Sequence, residues 1–366
     1  MASVRWFNAC AQIALGTAAG LRERGHTVLL LVRPDSPLEA RAREAALPVA
    51  SSVDLTATSP GRVVRHLRAL KAILAGFRPD VVNAHRSEDH LLAALALRRS
   101  GVPLVRTRAD VRAPRVNPGN RMLYGRATAA HIACADFMPG RFYAPLGVAG
   151  DRVRVIRPGL DVDAFVRGAP DPETARAALE LDPAARWVGL VGRFTAAKGH
   201  RVLIEAFAGA VSADPGLRLV LTGDANEMTA ADLRALAHEH GIADRVVVRP
   251  RDGDVRAVLR ALDLLAVPSV ASEAVSRIAM EGLALGVPTA ASRLNALPEV
   301  VGDAGLLVAP GDPAAWARAL TRGTDPDFAA RARDAGPARI RRRYDRVEEL
   351  RRTEDLLDAV LGERGR

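Results

Sequence analysis

At 366 residues the chain is too long for one ordinary core, and about 150 residues per domain implies two; 49% hydrophobic and 26% charged residues describe a folded globular protein. The longest uninterrupted apolar run, Leu91–Leu97, falls far below the roughly 20 residues of a membrane span, and no basic-then-apolar leader opens the chain, so a cytoplasmic protein is expected. Two cysteines, Cys10 and Cys134, exclude a disulfide framework and a Cys-rich zinc module; the +10 net charge is carried by arginines spread along the chain, and with 4% aromatics it does not point to nucleic acid.

The first element is a helical pattern from about Asn8 to Arg24, ended by Gly25-His26. Only Met1–Phe7 stand before it, at most a stub, so the strand that opens an ordinary lobe of this kind is expected to be missing or very short, as a start codon set too far downstream would leave it. Short apolar runs then predict strands at Thr27–Arg33, Asp80–Ala84, Val102–Thr107, His131–Cys134 and Val153–Arg157. The pattern breaks at Pro158–Pro172 and restarts with strands at Trp187–Val191, Leu217–Thr222, Arg245–Arg249, Asp263–Val267, Val287–Ala291 and Leu306–Val308. Helical patterns lie between them, among them Val202–Val211, Ala230–His240 and Ser276–Leu285, and the last runs from about Tyr344 to Leu361. Alternating β and α at this spacing predicts an α/β protein of two parallel-sheet lobes, with ligands beyond the carboxyl ends of the strands.

Two of the loops after strands carry chemistry. Gly192-Arg193-Phe194-Thr195-Ala196-Ala197-Lys198-Gly199 offers two cations five residues apart before a helix, which suits a diphosphate. Lys198 is one of only two lysines among 52 basic residues, and a compact ammonium acts on phosphate as a point charge. Pro268 to Gly282 holds Glu273 and Glu281 eight residues apart around the start of a helix, whose first amides near Ser276 to Ile278 are free to meet an anion. Spacing alone also fits a solvated helix glutamate at Glu281.

The glutamate pair followed by Gly286-Val287-Pro288, together with Gly192-Arg193-Phe194 and Ala197-Lys198-Gly199, resembles the retaining GT4 glycosyltransferases of the GT-B fold. Arg157–Phe165 is similar to that family's interdomain segment; Gly25-His26-Thr27-Val28 and Arg78–His85 are similar to its N-terminal lobe. The resemblance implies two Rossmann-like lobes facing across a cleft: an acceptor lobe over 1–160, a nucleotide-sugar lobe over 161–345, and a terminal helix over 346–366 crossing back to the first.

The same resemblance implies a retaining, metal-independent hexosyl transfer from a nucleoside-diphosphate sugar to a hydroxyl, with the donor as substrate and no cofactor. Arg193 and Lys198 would neutralise the diphosphate, and Glu273 would contact hydroxyls of the donor sugar. Gly192 and the amides of Ala274, Val275, Ser276, Arg277 and Ile278 would lie near phosphate and sugar, and Glu281 would accept hydrogen bonds from the ribose. His85, Arg108 and Asp110 are the acceptor-side candidates. The run Arg106, Arg108, Arg112 and Arg115 suggests an anionic glycan or lipid-linked acceptor, at the inner membrane face, in cell-surface glycan or lipopolysaccharide-type synthesis. Trp6-Phe7-Asn8-Ala9 replaces the family's Gly-rich first loop, and Ala109 stands where relatives often carry a histidine. Those departures leave open a non-catalytic nucleotide-sugar binder, and a sugar-nucleotide epimerase on the same scaffold is the other alternative. Asp161-Val162-Asp163 has metal-motif spacing in a Pro/Gly-rich turn and is read as linker.

Overall fold

A computed structural model describes residues 1–53 and 60–362. The chain divides into two compact units, 1–159 with 346–366, and 160–345. Residues 363–366 of the expected terminal helix lie outside the described part.

In the first unit, β1 (Leu30–Leu31) and β2 (Val49–Ala50) pair in parallel. The strands β3 (Val82–Ala84), β4 (Leu104–Arg108), β5 (Ala130–Ala133) and β6 (Val153–Val155) form a parallel sheet in chain order. Met1 and Ala2 stand where the opening strand is expected. Ala2 bridges Val32 and donates to the Leu31 carbonyl at 2.9 Å, while the Met1 ammonium donates to the Asn83 carbonyl at 2.7 Å and the His85 amide to the Met1 carbonyl at 2.9 Å. Met1 and Ala2 therefore take ladder bonds from both sides, between β1 and β3, and the Ser3 amide donates to the Asp89 carboxylate at 3.0 Å.

The helix Ala9–Glu23 follows, its first turn capped by Asn8, whose side-chain oxygen accepts from the Ala11 amide at 3.1 Å. The terminal helix Arg346–Gly362 packs within this same unit. Leu356 and Val360 join Val105, Ala130, Ile132 and Ile156 in one apolar cluster, and Leu350 closes over Gly20, where a Cβ would collide with it.

The second unit holds β7 (Arg186–Val191), β8 (Leu217–Thr222), β9 (Val246–Arg249), β10 (Leu264–Val267), β11 (Thr289–Ser292) and β12 (Leu306–Val308). All are parallel, in the order β12-β11-β10-β7-β8-β9. The central strands β7, β8, β10 and β11 bury side chains on both faces, which is why their sequences are largely apolar, while the edge strands β9 and β12 are mostly half-buried. One core gathers Trp187, Val191, Leu265, Val267 and Leu283; the other gathers Val188, Leu190, Leu219, Phe207 and Trp316. At roughly 1.5–3 kcal/mol per large side chain, these two layers dominate the unit's stability. The chain leaves β7 towards β8 on one side and returns through β10 on the other. Loops diverge at such a reversal of strand order and open a ligand crevice.

Among the described residues no helix is long and apolar enough to cross a membrane. Asp161 and Asp163 serve the fold: Asp161 caps the helix Val162–Val166 through the Ala164 amide at 2.9 Å, and Asp163 pairs with Arg341 at 2.6 Å. No group of three or more metal-ligating side chains stands together among the described residues.

Candidate active site

The two loops singled out by their chemistry follow β7 and β10, the strands on either side of the reversal. After β7, the Gly192 amide donates to the Thr222 carbonyl and the Phe194 amide to the Asp224 carbonyl, both at 2.9 Å. The buried Phe194 ring anchors the loop from below, edge-on to His200 at 5.4 Å. Burial holds the His200 imidazole at about 4, so it is neutral near pH 7. Arg193 points outward, exposed, with no side-chain hydrogen bond or ion pair among the described residues.

A single turn, Ala196–Lys198, leads to Gly199 and then to the helix His200–Ala213. Gly199 is left-handed (φ +76°), and a Cβ there would fall 2.8 Å from the Pro268 carbonyl carbon and nearer still to its oxygen. Only glycine lets the first loop lie this close to the second. The Val270 amide completes the junction by donating to the Ala197 carbonyl at 3.0 Å.

In the second loop Ser272 (φ +75°) and Glu273 (φ +64°) are both left-handed, which costs a non-glycine residue about 1–2 kcal/mol each. The conformation is pinned from outside: the Ala296 amide donates to the Glu273 carbonyl at 3.1 Å, and the Asn295 side-chain amide donates to the Ser272 carbonyl. Backbone strain held by surrounding bonds is a feature of functional loops. It delivers the Glu273 carboxylate, 3% exposed, to the Lys198 ammonium, with the Ser269 hydroxyl donating to it at 2.8 Å. Both donors sit on Oε1, which leaves Oε2 for a further hydroxyl.

The helix Arg277–Ala284 begins directly after. Val275 and Ile278 turn their side chains into the core, so at those two positions it is the backbone that remains to meet a ligand. Ser276 occupies the N-cap position yet makes no capping bond, and its hydroxyl is buried without a partner among the described residues. Glu281, one turn on, accepts from Arg277 Nε at 2.8 Å.

Gly192, Lys198, Glu273, Ala274 to Ile278 and Glu281 thus share one end of one sheet. Lys198 and Glu273 are in direct contact, while Arg193 stands apart in solvent. Sequence reasoning missed Ser269 and Asn295, which hold Glu273 in place; Asn295 lies 22 positions downstream with no local pattern to mark it. The Arg277–Glu281 ion pair was readable, because residues four apart on a helix are neighbours.

The acceptor-side candidates lie in the first unit. His85 directly follows β3 with its ring buried, and desolvation pushes its pKa well below the usual histidine range. Arg106 and Arg108 do not form a solvent-facing basic patch with Arg112 and Arg115. Both lie inside the sheet layer, fully buried: Arg106 donates to the Ala84 carbonyl at 3.1 Å, and Arg108 to Asp110 at 2.9 Å and to the Tyr124 hydroxyl at 3.3 Å, across the Phe142 ring at 4.5 Å. Asp110 (side chain 42% exposed), Arg112 and Arg115 are what this segment presents to solvent. In place of a Gly-rich first loop stands Trp6, mostly exposed, with the Arg5 guanidinium 5.2 Å from its ring.

This strand order, with two chemistry-bearing loops at its reversal, defines a Rossmann-like unit, and the chain holds a second parallel-sheet unit as well. The family model for glycosyltransferase family 4 matches residues 11–164, and that for glycosyl transferases group 1 matches residues 185–324. The chain belongs to the GT4 glycosyltransferases, and its fold is GT-B. It is 34% identical over 269 residues to the D-inositol 3-phosphate glycosyltransferase of Actinosynnema mirum, covering 66% of this chain and 63% of that one. The enzyme of the same name from Segniliparus rotundus is 37% identical over 171 residues, 45% of this chain and 37% of that one. The matches therefore span less than two thirds of these relatives' length. Among solved structures, a glycosyltransferase from Rickettsia africae aligns with a TM-score of 0.86 at 16% identity, over 96% of this chain and 94% of that one. Anabaena HepE in complex with UDP and glucose aligns with 0.83 at 20% identity, over 98% of both chains.

Proposed function

We propose that this chain transfers a sugar from a nucleoside-diphosphate donor to a hydroxyl acceptor, with retention of configuration and without a metal. The observation that carries the reading is the Lys198–Glu273 contact at the reversal of strand order: a cation for the diphosphate and a carboxylate for sugar hydroxyls, held together by strained backbone. Lys198 and Arg193 offset the charge that develops on the leaving diphosphate, the helix start at Arg277 adds its free amides, and Glu281 takes the ribose hydroxyls. The acceptor is deprotonated by the departing diphosphate oxygen on the same face, so no side-chain nucleophile is required.

HepE was solved with UDP and glucose, which makes UDP the first nucleotide to try. The relatives' name makes a phosphorylated polyol the first acceptor class, ahead of a lipopolysaccharide-type glycan or a lipid-linked carrier that would draw the protein to the inner membrane face.

The test measures nucleoside-diphosphate release from UDP-, GDP- and ADP-sugars, with and without inositol 3-phosphate. Acceptor-dependent release, a product of unchanged anomeric configuration by NMR, and loss of turnover in Lys198→Ala support the reading. Binding of a donor without turnover of any acceptor would favour a non-catalytic binder, and sugar interconversion without an acceptor would favour an epimerase.

A further inference from the structure

We propose that Arg277 is a third diphosphate-binding cation, stored on Glu281 until the donor arrives, and that this exchange makes the site favour nucleoside diphosphates over nucleosides. The inference rests on the donor-site reading above and adds a residue and a mechanism of selectivity to it.

Four observations meet at this helix start. Arg277 is the first residue of the helix, where the macrodipole favours an acid and disfavours a cation, and the first turn contains no acid at all. The guanidinium is therefore held against local preference at an end already positive, which suits an anion. Its Nε donates to Glu281 Oε1 at 2.8 Å, so one oxygen of the carboxylate assigned to the ribose is occupied. One third of the Arg277 side chain is exposed (33%), against 9% for Glu281, so the arginine is the partner open to a ligand from solvent. Next to it, the buried Ser276 hydroxyl makes no capping bond and has no partner among the described residues, a donor waiting at the same place.

The second carboxylate shows the same arrangement, since Glu273 is held by Lys198. Each group meant for hydroxyls is thus neutralised by a group meant for phosphate. A nucleoside diphosphate satisfies every partner at once: the diphosphate takes Arg277 and Lys198, and the released carboxylates take hydroxyls. A nucleoside without phosphate must share Glu281 with Arg277 and offers the arginine nothing in return.

Isothermal titration of inorganic pyrophosphate, and of UDP against uridine with GDP/guanosine and ADP/adenosine in parallel, tests the exchange in wild type, Arg277→Gln and Glu281→Gln. In Arg277→Gln, diphosphate affinity should fall at least tenfold while nucleoside affinity holds or rises, because Glu281 is then unoccupied. In Glu281→Gln, which frees the arginine, pyrophosphate should bind at least threefold tighter, so the proposal remains testable if Arg277→Gln does not fold. A purely structural helix pair would move diphosphate and nucleoside together in Arg277→Gln and leave pyrophosphate unchanged in Glu281→Gln; either result overturns the inference alone. If wild type binds no diphosphate of the three, the donor-site reading fails and this inference falls with it.

Discussion

Gly199→Ala and Gly241→Ala make the same chemical change at nearly the same backbone angle, φ +76° and +70°, in very different surroundings. At Gly241, just past the helix Ala230–Glu239, nothing lies within 4 Å of a new Cβ. Its cost is the left-handed penalty of about 1–2 kcal/mol, less the roughly 0.4–1 kcal/mol by which alanine restricts the unfolded chain, or about 1 kcal/mol net. At Gly199 the Cβ falls inside the Pro268 carbonyl, which is backbone and cannot rotate away. Overpacking of that kind adds about 1–3 kcal/mol, for a total of about 3 kcal/mol. At about 2–4 °C per kcal/mol for a unit of this size, the two variants should melt roughly 3 °C and 9 °C below wild type. Urea unfolding followed by fluorescence reads the right unit, since Trp187 and Trp316 are buried in it and Trp6 of the first unit is already exposed. Shifting Pro268 also shifts Ser269 and Glu273, so Gly199→Ala should lose donor turnover at temperatures where it is folded, and Gly241→Ala should not. Equal losses of stability in the two variants would refute the claim that the loops are held at backbone contact.

Lys198→Met keeps the stem across Gly192 but leaves Glu273 buried without its cation. With Lys198 27% exposed, about 2–3 kcal/mol should be lost by urea unfolding, and the Lys198→Met/Glu273→Gln double variant should recover more than half of it; additive losses would deny the coupling. Ser272→Gly relieves one of two consecutive left-handed residues and should raise the melting temperature by up to about 4 °C, for about 1 kcal/mol; a lower melting temperature would contradict the strain. Burial lowers His90 to about 2 and His131 and His200 to about 4, so all three are neutral when folded. Between pH 6.5 and those values the unfolded chain binds protons that the folded chain refuses, so this stability is complete above pH 6.5 and is lost as pH falls. By pH 5 each of these three histidines should have cost about 2 kcal/mol, and the first unit, which holds two of them and the likewise lowered His85, should weaken more than the second. Urea midpoints that stay level from pH 7 to pH 5 would contradict the neutral burial.

The second unit was largely legible in the sequence because its central strands are buried on both faces and read as largely apolar runs, and because its chemistry lies in two short segments directly after strands. The first unit was harder. β2 is two half-buried residues, Val49–Ala50, too short to show an alternating pattern, and the strand position at Met1–Ala2 is made by backbone bonds to Leu31, Asn83 and His85 that leave no trace in residue type. Arg106 and Arg108 read as solvent-facing because arginine usually is. Their burial depends on Tyr124, Phe142 and the Ala84 carbonyl, partners supplied by other elements. The contact between Lys198 and Glu273 spans 75 positions and depends on left-handed angles at two residues that are not glycine, which no local pattern encodes.

The central claim, that the second unit holds a nucleoside-diphosphate sugar, is tested most directly by titrating UDP, GDP and ADP into wild type and Glu281→Ala. One diphosphate should bind wild type, and the variant should bind it about 10- to 100-fold more weakly, the factor expected when a charged hydrogen-bond acceptor worth about 1.5–3 kcal/mol is removed. Equal binding in the two proteins, or no binding by wild type, would contradict it.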